Sequence, residues 1–296
     1  MESLKESFEK EGYVIVDVLT QPEIEHFRSI MDDLLNPKIE AADKQARSSS
    51  FQHLGDDIAS FGQEARQYYF HLLTKAGTEP IHHAFYNPVI LKVVEAIIGP
   101  RLIINNASIL AANAGTSYSL GWHRDIIQIP QDEIEDWLFS KERFHNSVQI
   151  NLPLVDENSL WIVPRSHNRP NTPEENEAFQ GSKHYSPIDA QMPGGIPVHL
   201  KAGQAVIYNN NLIHRGYTKT MKVPRRTLHM GYHSAAHAPT WHFYLLNSNL
   251  LTPEYLDTLN PTMRRMMNEY LECKQQYPDM SDTWKYEYNF PGQRVD

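Results

Sequence analysis

The sequence predicts a mainly β fold, a sandwich or barrel with helices packed beside it, and two observations carry that prediction. Beyond Arg101, short apolar segments follow one another between polar turns, which suits antiparallel strands better than alternating strand–helix units. Before Arg101 the chain is helical in texture and holds one strand, and helical periodicity returns from Pro253 to Tyr270. No internal repeat or linker divides residues 1–296. One domain is expected: a mostly helical part over 1–100, a β core over 101–235 and a helical extension over 236–296.

The elements follow in order. Ser3 to Lys10 has helical character and Gly12 ends it, and Tyr13 to Val18 is a strand by its β-branched content. Thr20 caps a helix running to about Leu35, with Glu23 completing a capping box. Asn36 to Gly62 turns polar, with Ser48-Ser49-Ser50 at its middle, and reads as a surface loop. A helix is expected from Arg66 to Lys75. Asn87-Pro88 then opens a helix from Val89 to Ile98 that Gly99-Pro100 stops. Strands are expected at Arg101 to Ala112, Trp122 to Ile129, Ser147 to Leu154, Leu160 to Val163, Gln204 to Tyr208 and Arg226 to Tyr232. Pro130 to His145 and Asn168 to His199 carry Pro, Gly and charge, project as loops, and are candidates for a pocket rim.

Composition narrows the function. Five Trp, fifteen Tyr and eleven Phe supply a sizeable core. A net charge of -9 and a pI near 5.9 have the wrong sign for holding phosphate backbones, which argues against a nucleic-acid partner. Cys273 is the sole cysteine, so the chain has no internal disulfide and no cysteine zinc site. No apolar run approaches a membrane span, and the acidic N-terminus lacks a secretory h-region. The expectation is a cytoplasmic protein without a membrane partner.

The chemistry concentrates in Gly121-Trp122-His123-Arg124-Asp125. On a strand, residues i and i+2 share a face, so His123 and Asp125 can grip one ion. His214, closing the apolar run from Ala205 to Ile213, is the candidate for a third ligand. Two imidazoles and one carboxylate suit non-haem Fe(II) and leave three coordination positions open. A 2-oxo acid fills two of them and O2 the third. The distal carboxylate of 2-oxoglutarate also needs an anchor, and a guanidinium fork matches it bidentately. Arg225, eleven residues after His214, is placed for that task; if it faces the interior, Thr227 does too and Arg226 points out. An inward arginine without a partner is costly and implies a bound anion.

These residues resemble the phytanoyl-CoA dioxygenase-like family of Fe(II)/2-oxoglutarate oxygenases. The resemblance runs through Phe8 to Val16, Trp122-His123-Arg124-Asp125, Leu160 to His167, Lys201 to Val206, His214-Arg215-Gly216 and Pro224-Arg225-Arg226. It implies a double-stranded β-helix, the cupin-type jelly roll, with helices on one side. It also implies Fe(II) on His123, Asp125 and His214, with the cosubstrate carboxylate on Arg225. Halogenating relatives lack the carboxylate that Asp125 supplies, so hydroxylation or a related oxidation of a small molecule is implied. The chain departs from the family pattern at two places. Arg215 follows His214 where Gly-Ser is frequent, and Gln149 and Asn151 stand where a Trp is frequent.

Other candidates read more plainly. His167 is taken as structural, and His229 and His233, which share parity with Arg225, as packed core histidines. Trp122, Trp161 and Tyr208 are core aromatics first. Asp132, Glu133, Glu135 and Asp136 form a solvated face. Two other functions use the same residues: a cupin-type metalloenzyme without 2-oxoglutarate, and a non-catalytic binding module. The oligomeric state stays open.

Overall fold

A computed structural model of the chain describes residues 2–45, 52–53, 58–60, 67–69, 72–73, 77–115, 118–125, 146–181, 186–237 and 251–277. α1 (Glu2–Glu11) leads into β1 (Tyr13–Asp17), which the sequence places correctly. α2 (Gln21–Gln45) opens with the Glu23 carboxylate accepting from the backbone N–H and hydroxyl of Thr20, both at 2.7 Å. It then runs past Leu35 into the segment expected as a loop. Residues 39–45 are rich in helix formers, and their propensity outweighs the single hydrogen bond that Pro37 removes.

The remainder of that expected loop carries β2 (Gln52–His53) and β3 (Ile58–Ser60). β4 (Gln67–Tyr69) replaces the helix expected from Arg66 to Lys75. Its register explains the correction: Gln67 lies opposite Ala111 and Tyr69 opposite Ile109, on the open edge of β5 (Leu102–Ala112). An unpaired strand edge must satisfy its N–H and C=O groups, and that long-range demand overrides local periodicity. A 3-10 helix (Glu79–Tyr86) and α3 (Pro88–Ile98) precede β5. Asn87 caps α3 as expected, accepting from Val89 N–H at 2.9 Å.

Then come β6 (Tyr118–Ser119), β7 (Ser147–Pro153) and β8 (Leu160–Ile162). The expected 168–199 loop holds α4 (Pro173–Phe179) and β9 (Ile196–Pro197). β10 (Gln204–Asn209), β11 (His214–Thr218) and β12 (Arg225–Ser234) complete the barrel, and α5 (Pro253–Thr258) and α6 (Pro261–Gln276) follow. His214 therefore opens a strand of its own after a turn. The strand expected from Trp122 to Ile129 reduces to one bridge at His123, and its part beyond Asp125 lies outside the described residues. So do the 130–145 rim and the acidic cluster at 132–136.

The strands make two antiparallel sheets, ordered β1-β10-β7-β12-β5-β4-β3-β2 and β6-β11-β8-β9, which face each other as a jelly roll. Alternation divides the residues of the large sheet between two environments. Val148, Ile150, Leu152, Leu228, Met230 and Tyr232 point to the helices and build the main core with Phe27, Met31, Phe85 and Val94. α6 adds Met263, Met266, Met267 and Tyr270 from one helical face. The opposite face of the same strands carries Gln149, Asn151, Arg225, Thr227 and His229, all buried. Between the sheets, Leu160, Ile162, Val198, Leu200, Val206 and Leu212 line the other half of the lumen. A polar wall inside an apolar sandwich is costly unless its groups are partnered, which makes it a candidate site.

Candidate metal centre

Two backbone contacts bring the three expected ligands together. His123 and His214 exchange N–H···O bonds at 2.9 Å in each direction, and Asp125 N–H donates to the Asn210 carbonyl at 3.1 Å. The segment before β7 is thereby pinned to the β10–β11 turn. From outside, Trp122 donates its N–H to the Ser186 hydroxyl at 2.9 Å and its indole N–H to the Ala190 carbonyl at 3.2 Å. Gly121 is required there, because a Cβ would stand 2.1 Å from the Ser186 carbonyl oxygen.

The side chains converge in a specific tautomer. His123 Nδ1 lies 2.9 Å from its Gly121 carbonyl and His214 Nδ1 lies 2.8 Å from the Leu212 carbonyl. A carbonyl only accepts, so each Nδ1 carries the proton and each neutral ring presents the Nε2 lone pair. Those Nε2 atoms stand 3.7 Å and 3.6 Å from the two oxygens of Asp125. One donor atom from each residue lies within 4.8 Å of the others, and all three residues are buried. Metal–nitrogen and metal–oxygen bonds of about 2.0–2.2 Å place one ion between donors so spaced. The donor set fits a divalent transition metal, with two imidazoles and one carboxylate on one side of the ion.

The residues next to the three candidate ligands point away and hold the frame. Arg124 donates from Nη1 to the carbonyls of Ser166 and Asn211, each at 2.5 Å, and reaches Arg169 and Asn171 with Nη2. Burial pulls its pKa down to about 9, against the opposing pull of Glu175, so it keeps its charge at neutral pH. Arg215 stacks on the outer face of the small sheet, with its guanidinium carbon 4.5 Å from the Trp122 ring centroid and 4.4 Å from that of Tyr217.

Along the lumen, Tyr208 donates to Gln149 Oε1 at 2.7 Å, and Gln149 Nε2–H donates to Asp125 Oδ2. His229 pairs with Asn151 Oδ1 at 2.7 Å. Arg225 and Thr227 face inward and Arg226 outward to Asp32 at 2.7 Å, as the alternation predicts. The partner of Arg225 differs from the expected bound anion. Glu157 accepts from Arg225 Nε at 3.0 Å and Nη2 at 3.2 Å, and from the Thr227 hydroxyl at 2.5 Å. A cleft of about 760 Å³ borders this pair, with Trp161, His199, Lys201 and Tyr217 also in its wall.

The sequence names His123, Asp125 and His214 as candidate ligands and Arg225 with Thr227 as a candidate carboxylate seat, and the structure brings the first three together. His167 is structural, with Nε2 3.1 Å from the Glu9 carbonyl. Reading missed Glu157 and the polar roles of Gln149, Tyr208 and His229. Gln149 and Asn151 carried a usable signal, since amides on the inward face of a core strand need partners.

A family model described as phytanoyl-CoA dioxygenase matches residues 8–227. Among solved structures, HygX from Streptomyces hygroscopicus, determined with nickel and 2-oxoglutarate bound, has a TM-score of 0.55 at 16% identity, covering 79% of this chain and 87% of that one. EctD from S. alaskensis gives 0.55 at 16%, covering 82% and 80%. SnoN, a non-haem alpha-ketoglutarate-dependent epimerase from nogalamycin biosynthesis, gives 0.53 at 18%, covering 79% and 83%. These likenesses show a shared fold. No curated protein matches the chain.

Proposed function

The chain belongs to the phytanoyl-CoA dioxygenase family of Fe(II)- and 2-oxoglutarate-dependent oxygenases, and we propose that it hydroxylates or otherwise oxidises an unactivated C–H bond of a small-molecule metabolite. In this reading His123, Asp125 and His214 hold the iron. The observation that carries it is the presentation of both Nε2 lone pairs to Asp125 while both Nδ1 atoms are tied to carbonyls. Bound there, the iron with 2-oxoglutarate and O2 supplies oxidation of the substrate, with release of succinate and CO2.

The chain's own groups do the rest. Gly121 and Leu212 carbonyls orient the imidazoles, and Arg124 holds the segment that bears two ligands. Arg225 and Thr227 form the seat for the distal carboxylate of 2-oxoglutarate. Their fit to such a group rests on Glu157, whose carboxylate both of them grip. The apolar lining of Leu160, Ile162, Val206 and Leu212 keeps water from the space between the sheets. A small-molecule substrate is supported by the ligands bound in similar structures, hygromycin B in HygX and 5-hydroxyectoine in EctD.

The test is anaerobic titration of the purified protein with Fe(II) and then 2-oxoglutarate. A visible metal-to-ligand charge-transfer band is expected, lost in His123→Ala and weakened in Arg225→Ala. Bound iron with no band would sink the 2-oxoglutarate reading, and iron binding unchanged in His123→Ala would sink the ligand assignment.

A further inference from the structure

We infer that Gln149 is a positioning residue that fixes the Asp125 carboxylate between the two imidazoles, with Tyr208 locking Gln149 in place. This rests on the metal reading of the site. The inward positions of β7 carry two buried amides, Gln149 and Asn151.

The hydrogen-bond directions are forced in sequence. A carboxylate accepts only, so the amide group facing Asp125 must be Nε2–H. Oε1 then points the other way, toward the Tyr208 hydroxyl, which must donate to it at 2.7 Å. The register makes this arrangement rigid: Gln149 lies opposite Tyr208 on β10 and opposite Gly231 on β12, in the middle of the large sheet. Gly231 is itself constrained, since a Cβ there would stand 2.3 Å from Asn105 Oδ1 at the β5–β12 bulge. Gln149 is 6% exposed, Tyr208 2% and Asp125 4%, so water does not compete for these bonds.

Held by Gln149, the Asp125 carboxylate keeps Oδ1 3.7 Å from His123 Nε2 and Oδ2 3.6 Å from His214 Nε2, so it faces both imidazoles at once. A carboxylate free to rotate loses that shared focus, and the site loses metal affinity with it. Gln149 thus orients Asp125, and Tyr208 orients Gln149.

Cobalt(II) titration of the full chain tests this, because its visible spectrum reports coordination number as well as affinity. Gln149→Leu removes the donor at similar volume. It is expected to lower cobalt affinity about 10- to 100-fold, the usual effect of losing a ligand's orienting partner. The variant's cobalt spectrum is expected to shift, and 2-oxoglutarate affinity of the loaded protein to fall in addition. Tyr208→Phe removes one hydroxyl, preserves the packing, and is expected to move both quantities the same way by a few-fold. It also serves as the deciding variant if Gln149→Leu does not fold. Gln149→Leu or Tyr208→Phe with wild-type affinity and spectrum would overturn the inference. Failure of the wild-type protein to bind cobalt would instead overturn the metal reading on which it rests.

Discussion

Arg225 and Thr227 both donate to Glu157, so the seat proposed for the distal carboxylate of 2-oxoglutarate already holds a carboxylate of the protein. The ion pair is buried, with side chains 2% and 7% exposed. Breaking such a pair on one side costs about 3–5 kcal/mol, because the remaining charge keeps its desolvation penalty. Glu157→Gln keeps the volume and removes the competing charge. It is expected to lower thermal stability and to raise apparent 2-oxoglutarate affinity about tenfold, a gain of about 1.4 kcal/mol. Calorimetry of 2-oxoglutarate binding and the ligand-induced rise in melting temperature check both. A larger rise in the variant than in the wild type fits displacement of Glu157 toward the adjoining cleft. Weaker binding in the variant would make Glu157 a support for Arg225. None of this was legible in the sequence, where Glu157 and Arg225 are far apart and Glu157 belongs to an ordinary polar turn. The His-x-Asp spacing and the eleven-residue step to Arg225 were legible, because strand alternation translates local spacing into a shared face.

At the scale of elements, β11 and the segment that follows β6 share a clamp at a place where the sequence departs from the family pattern. Arg215 follows one expected ligand and Trp122 precedes another, and they stack together on the outer face of the small sheet. Trp161 meets Trp122 edge to face at 6.5 Å and Tyr217 at 5.9 Å, and Arg215 donates to the Ile188 carbonyl at 3.1 Å. A desolvated cation–π contact contributes about 2 kcal/mol. Arg215→Ala is therefore expected to cost about 2 kcal/mol and to loosen the His123–His214 bridge. Hydrogen exchange over 121–125 and 212–216 reads this directly. Faster exchange confined to those segments is expected, and unchanged exchange would rule out the clamp. Arg215→Lys keeps the charge and is expected to recover only part, because an ammonium cannot stack as a planar group. Capping signals gave α3 cleanly, since Asn87 and Gly99 act within one turn of the chain. β4 could not be read that way: its strand character comes from the β5 edge, some forty residues later.

The whole molecule carries a net charge of -9, and self-repulsion alone would make it more stable on acidification toward its pI of about 5.9. Two buried histidines act in the opposite direction. His233, fully buried at the end of β12, is pushed down to about 3 by desolvation, with His237 adding to the effect and a backbone bond to Ser234 opposing it. Burial also lowers His82, against its bond to the Leu72 carbonyl and the charge of Glu79. Above the ordinary histidine pKa of about 6.5 both states are neutral and neither group alters stability. As pH falls through that value the unfolded chain takes up protons that folded His233 refuses, so stability drops. Each fully differential histidine contributes a slope of about 1.4 kcal/mol per pH unit. Surface charges are screened over about 8 Å at physiological salt, so the relief of their repulsion is spread thin and the local term wins. Chemical denaturation between pH 7.5 and 5 is expected to find stability falling from about pH 6.5 downward. His233→Asn, which cannot titrate there, is expected to flatten the slope even if it lowers stability at neutral pH. An unchanged slope in the variant would assign the acid sensitivity to other groups, and a rise in stability toward the pI would mean that net charge governs after all.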